Sequence, residues 1–160
     1  GGRMIFTPDT DAITHGIQLA VAPVFFLTAV SGMIGAVAGR LARIIDRARN
    51  LEDRAIASQD AEFLRRAFAE LASLRVRGRL ANTCIAMLTL CAVFIGLTII
   101  VLFVGETTEF QSGRLAVAGF LAGVVSFLAA LLFFLAETFI ATRVLNFRMP
   151  RHGSGAESSG

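Results

Sequence analysis

Glu137 is the residue of this chain with the clearest chemical demand. It closes an apolar run, residues 115–136, and by helical spacing it shares a face with Gly119, Gly123, Ser126 and Ala130. That face of small residues turns the carboxylate toward protein rather than lipid. An ionised group within a membrane span costs ~2.5–3.5 kcal/mol at the centre and less near an end. A cationic partner is therefore expected. Arg43 continues a face made by Gly32, Gly35 and Gly39, and Arg40 lies one turn shallower. Both fall at the depth of Glu137, so a structural ion pair of Glu137 with Arg40 or Arg43 is expected. A carboxylate reaching headgroup water, or a proton relay, are the alternatives.

Two further groups could carry function. Thr28, Gly32, Gly35 and Gly39 form one small-residue face, with Gly35 and Gly39 in a GxxxG, and Gly119 and Gly123 form a second GxxxG. Such faces let helices approach closely in lipid. They would serve either packing of the first span against the third or a subunit interface. In residues 82–104, Asn82, Thr89 and Gly96 repeat at seven, and so do Cys84, Cys91 and Thr98. The two rows lie about 200° apart on a helix, which suggests a central helix with protein on both sides. Thr28, Asn82 and Thr89 would line a narrow water path if there is one. No filter-like loop or midplane acid accompanies them, which favours packing.

Signatures of catalysis are missing. His15 and His152 fall at opposite ends of the chain, and Cys84 and Cys91 sit seven apart on one helix, too far to bridge each other. There is no paired histidine, no P-loop, no GxGxxG after a strand, no CxxC and no Ser/His/Asp set. A non-enzymatic protein without cofactor or metal is expected.

The elements that position these residues follow from hydropathy. Of 160 residues, 55% are hydrophobic and 17% charged, in long apolar blocks. That excludes an ordinary soluble domain. Residues 17–38, 82–104 and 115–136 are each long enough to span the ~30 Å hydrocarbon core. Pro23 falls within the first, where a kink is expected. Beyond Gly39 the pattern becomes amphipathic without a helix breaker. Leu41, Ile44, Ile45, Ala48, Leu51 and Ala55 form one stripe, and Phe63, Leu64, Ala67, Phe68, Leu71 and Leu74 form another. Between them, residues 57–60 read as a turn with Asp60 as the next N-cap. Helical pairs Arg43–Asp46, Arg49–Asp53, Glu62–Arg66 and Arg66–Glu70 are expected on the wet faces. The fold class is thus all-α: three transmembrane helices and an antiparallel helical hairpin, about residues 40–79, between spans one and two. Residues 8–148 make a single membrane domain, with Thr7-Pro8 starting the first helix and Phe147-Arg148-Met149-Pro150 ending the last. Residues 1–7 and 149–160 are read as end segments, with Gly1-Gly2-Arg3 foreign and the Gly/Ser tail flexible. The first apolar run is read as retained, being too long for a signal-peptide core.

All fifteen basic residues are arginine, and the chain carries a net charge of +3. Most of the arginine flanks spans, so topology signals and phospholipid contacts are expected rather than nucleic acid. Its bias places the hairpin and carboxyl end in the cytoplasm and the amino end outside.

The run Arg40-Leu41-Ala42-Arg43-Ile44-Ile45-Asp46-Arg47-Ala48-Arg49, preceded by Pro23 and the small stretch 29–39, resembles a known family. Leu74 to Asn82 and Glu137 support the likeness, which extends from Pro8 to Arg148. The family is a bacterial membrane family catalogued as domain of unknown function 2721. The resemblance implies a three-span bacterial protein and brings no activity or catalytic residue with it, and the bacterial inner membrane is the expected location. Homo-oligomerisation is expected, because the long apolar stripes outside the membrane exceed what one partner helix covers. Two functions follow as expectations. One is a self-assembling scaffold or accessory subunit with a membrane or cytoplasmic protein partner. The other is a homo-oligomeric channel passing a small ion.

Overall fold

The computed structural model describes residues 10–107 and 113–146. The expected helix start at Thr7-Pro8, the stop at Phe147–Pro150 and both end segments lie outside the described residues. The chain forms three helices, α1 (Thr10–Ala57), α2 (Ala61–Thr107) and α3 (Gly113–Asn146). It is all-α, and each helix is long and apolar enough to cross a membrane.

α1 and α2 contain 48 and 47 residues, or about 70 Å each at the α-helical rise. A hydrocarbon core of ~30 Å accommodates less than half of that length. Much of the remainder is the amphipathic part, where arginines and acids alternate with an apolar stripe. α1 runs unbroken through Pro23, although proline leaves the Leu19 carbonyl without its usual donor. Only residues 58–60 separate α1 from α2. Ser58 N–H donates to the Ala55 carbonyl at 3.3 Å, closing the end of α1. Asp60 then caps α2, its Oδ1 accepting from Glu62 N–H at 3.0 Å. The two helices consequently run back along each other in a hairpin-like arrangement. A Cβ at Gly78 of α2 would touch Ile44 and Leu41 of α1, and Arg47 of α1 pairs with Glu70 of α2 at 2.7 Å. Glu62 and Arg66 pair as expected. Among the described residues Arg43 and Arg49 form no ion pair; Asn50 donates to the backbone carbonyl of Asp46.

Buried residues recur at seven on every helix. On α1 they are Pro23, Val30, Val37 and Ile44. On α2 there are two rows: Ala67, Leu74, Ala81, Leu88 and Ile95, and then Cys84, Cys91 and Thr98. On α3 they are Ala116, Gly123, Ala130 and Glu137. A seven-residue repeat keeps one seam facing its neighbour when helices wind gently around each other left-handedly. α2 is the middle helix, packed against both others, and Ile95 together with its second row meets α3. A Cβ at Gly119 would lie 2.6 Å from Thr98 Oγ1, and one at Gly123 2.7 Å from Ile95 Cδ1 and 3.6 Å from the Cys91 carbonyl. Cys84 Sγ donates to the Ala130 carbonyl at 3.2 Å.

Of the two roles expected for the glycine seams, packing of the first span's glycines on those of the third does not occur within the chain. Gly119 and Gly123 pack on α2, not on the glycines of α1. At Gly32, Gly35 and Gly39 a Cβ would meet nothing within 4 Å. A GxxxG signals close approach but does not name the helix that approaches. α1 does meet α3 through Phe26, whose ring centroid is 5.0 Å from Phe127 and 6.1 Å from Phe120. Phe25, Val125, Leu132 and Leu135 are more than 60% exposed, an outer surface suited to lipid rather than water.

Candidate functional site: a charged clasp where the helices leave the membrane

The seam of α3 ends on a charge. Glu137 continues the row Ala116, Gly123, Ala130 by one more step of seven, and it is 1% exposed. The corresponding step on α2, seven before Cys84, is Arg77. Its Nε and Nη2 both approach Glu137 Oε1 at 3.0 Å. α1 supplies Arg40, whose Nη2 lies 3.3 Å from Glu137 Oε2. Arg40 Nη1 also donates to Thr138 Oγ1 at 3.1 Å, and its guanidinium stacks 5.1 Å above the Phe134 ring. One buried carboxylate thus joins all three helices. Both of its oxygens face a guanidinium, and no buried side-chain nitrogen or oxygen among the described residues lacks a partner.

Burying a lone carboxylate would be costly, and pairing with two cations offsets that cost only with good geometry. Here the two N–H groups of Arg77 form a fork on one oxygen, which fixes the rotation of α3 against α2. Below the clasp, away from the spans, Arg47 repeats the device. Its Nε and Nη2 lie 2.9 and 2.7 Å from Glu70 Oε1. Arg40 and Arg47 are seven apart on α1, so both follow the seam.

Of the residues expected at this site, Glu137 and Arg40 come together, and Arg43 does not join them. Arg43 belongs to the Gly32–Gly35–Gly39 face, which packs on neither α2 nor α3. The third member, Arg77, is not apparent from span hydropathy, because it precedes the apolar run. The signal for it is the Cys84, Cys91, Thr98 row extended one step back. Of the seam residues, Thr28 and Thr89 are exposed and their hydroxyls donate to their own helix, to the Val24 carbonyl at 3.2 Å and the Ile85 carbonyl at 2.9 Å. Asn82 is exposed as well. So of the Cys84–Cys91–Thr98 and Asn82–Thr89–Gly96 repeats, the first faces protein within the chain, while Asn82 and Thr89 face outward. No group of three metal-ligating side chains occurs among the described residues.

Three apolar helices, an amphipathic extension and a buried charge at their junction define a polytopic membrane protein. Residues 20–147 match the family model described as protein of unknown function (DUF2721), and the chain belongs to that family. Nothing among the curated proteins or the solved structures matches it.

Proposed function

We propose that the protein is a non-enzymatic membrane scaffold or accessory subunit that self-assembles through the part of the hairpin beyond the membrane. The carrying observation is an apolar groove of about 450 Å³ between α1 and α2, lined by Ala55, Ile56, Leu64, Phe68, Leu71 and Ala72. Ile56 is 86% exposed and Phe68 65% exposed. Both belong to the arginine-rich extension, where water rather than lipid would meet them. Side chains of that size left uncovered in water mark a contact surface. Glu52 and Arg75 flank the groove, so a second copy related by a two-fold axis would oppose each acid with a base. The glycine face of α1, free within one chain, would continue the contact into the bilayer. By the positive-inside rule this extension lies in the cytoplasm of a bacterial cell, with the amino end outside.

The test is the mass of the detergent-solubilised particle. A multiple of the 17.1 kDa chain is expected, falling to a single chain on Phe68→Glu. A parent protein that is monomeric at all concentrations would refute the reading. A second reading, an ion-conducting oligomer, draws on the outward Asn82–Thr89 row. Ion flux through liposomes holding pure protein, abolished by Thr89→Phe, would favour it over the scaffold.

A further inference from the structure

Between α1 and α2, beside the clasp, lies a groove of about 500 Å³ lined by Arg40, Arg43, Ile44, Arg47, Leu74 and Arg77. Four of the six side chains are guanidiniums and none is acidic. Ile44 and Leu74 are buried and make an apolar floor. Three of the four arginines are anchored from elsewhere. Arg77 is held by Glu137, Arg40 by Glu137 and Thr138, and Arg47 by Glu70. Each uses two of its N–H groups on these partners and keeps the rest. Arg43 has no ion pair among the described residues. Four positive charges therefore meet two carboxylates, and the excess faces the groove. A pre-oriented set of guanidinium forks matches the tetrahedral oxygens of a phosphate. The depth matters too. Arg40 follows the last apolar residues of the first span, and Arg77 precedes the first of the second span. The groove thus opens at the level where lipid headgroups lie.

We propose that this groove binds a phosphate group, and that its source is the headgroup of an anionic phospholipid. The site is separate from the self-association surface, and the proposal stands without it. Arg43 is the discriminating residue, since it lines the groove but holds no part of the fold together. Arg65, an exposed arginine of α2 that does not line the groove, is the control for diffuse attraction.

The experiment uses the full chain purified in a neutral detergent. Short-chain phosphatidylglycerol, short-chain phosphatidylcholine and inorganic phosphate are each titrated by calorimetry. Binding of phosphatidylglycerol is expected, with competition by millimolar phosphate and little binding of the zwitterionic lipid. Arg43→Gln should weaken phosphatidylglycerol by about tenfold, the worth of one charge-assisted hydrogen bond. Arg65→Gln should leave it unchanged. Inorganic phosphate bound without phosphatidylglycerol would overturn the lipid source and leave a free phosphate compound as the ligand. Equal loss in the Arg43 and Arg65 variants, or no binding of either probe, would overturn the site itself.

Discussion

Glu137→Gln is the sharpest perturbation available, because it preserves shape and removes only charge. In the parent, Oε1 receives two N–H groups of Arg77 at 3.0 Å and Oε2 faces Arg40 at 3.3 Å. A glutamine keeps one carbonyl oxygen, which would stay on the Arg77 fork. Its amide then points N–H groups at the N–H groups of Arg40. Water cannot repair this, since position 137 is 1% exposed. Breaking a buried ion pair by removing one member costs about 3–5 kcal/mol. Arg40 and Arg77 retain 29% and 20% side-chain exposure, and Arg40 keeps Thr138, so the lower end applies, about 3 kcal/mol. For a chain of this size that lowers Tm by about 6–12 °C. Circular dichroism melting in detergent measures it. Arg77→Gln should cost a similar amount. The double variant should lose less than the sum of the two by about 1–3 kcal/mol, since the second substitution removes a charge already stranded. A Glu137→Gln protein melting within about 2 °C of the parent, or strictly additive variants, would refute the clasp as a stabilising element.

The packing of α3 on α2 predicts that Gly119→Ala destabilises by about 1–3 kcal/mol, because its methyl would meet Thr98 Oγ1 at 2.6 Å. Gly35→Ala, with open space around it, should leave the melting of a single chain unchanged; the same detergent melts compare them. Asp60→Ala removes the cap on Glu62 N–H and should cost about 0.5–2 kcal/mol, with faster amide exchange confined to the first turn of α2. Arg47→Ala breaks a pair whose arginine is 57% exposed. It should cost no more than about 1 kcal/mol, and a melt repeated at high salt should show less difference still.

The three helices follow from the sequence because length and hydropathy decide them before any packing detail enters. Asp60 as a cap follows from the short polar break between two amphipathic stripes. Glu137 is found because a carboxylate at the end of an apolar run demands a cation, and Arg40 because it sits at the same depth. Arg77 is harder to see. Its role depends on the register between α2 and α3, and it emerges only when the buried row is stepped back from Cys84. The glycines are ambiguous for the same reason. Spacing shows that Gly32, Gly35 and Gly39 share a face, but which helix covers a face is a property of the whole arrangement. With α2 in the middle, α3 takes its glycines to α2 and leaves those of α1 uncovered within the chain. Arg43, the alternative to Arg40, shares that glycine face, whereas Arg40 reaches Glu137.

The proposed arrangement, three spans with the α1–α2 hairpin standing in water on the cytoplasmic side, is tested most directly at the tip. Cys84 and Cys91 are buried, so a single cysteine introduced as Gln59→Cys would be the reactive thiol among the described residues. A membrane-impermeant maleimide applied to intact cells should leave it unlabelled, and the same reagent applied to inverted membrane vesicles should label it fully. Labelling from outside intact cells, or protection on both sides, would contradict the arrangement.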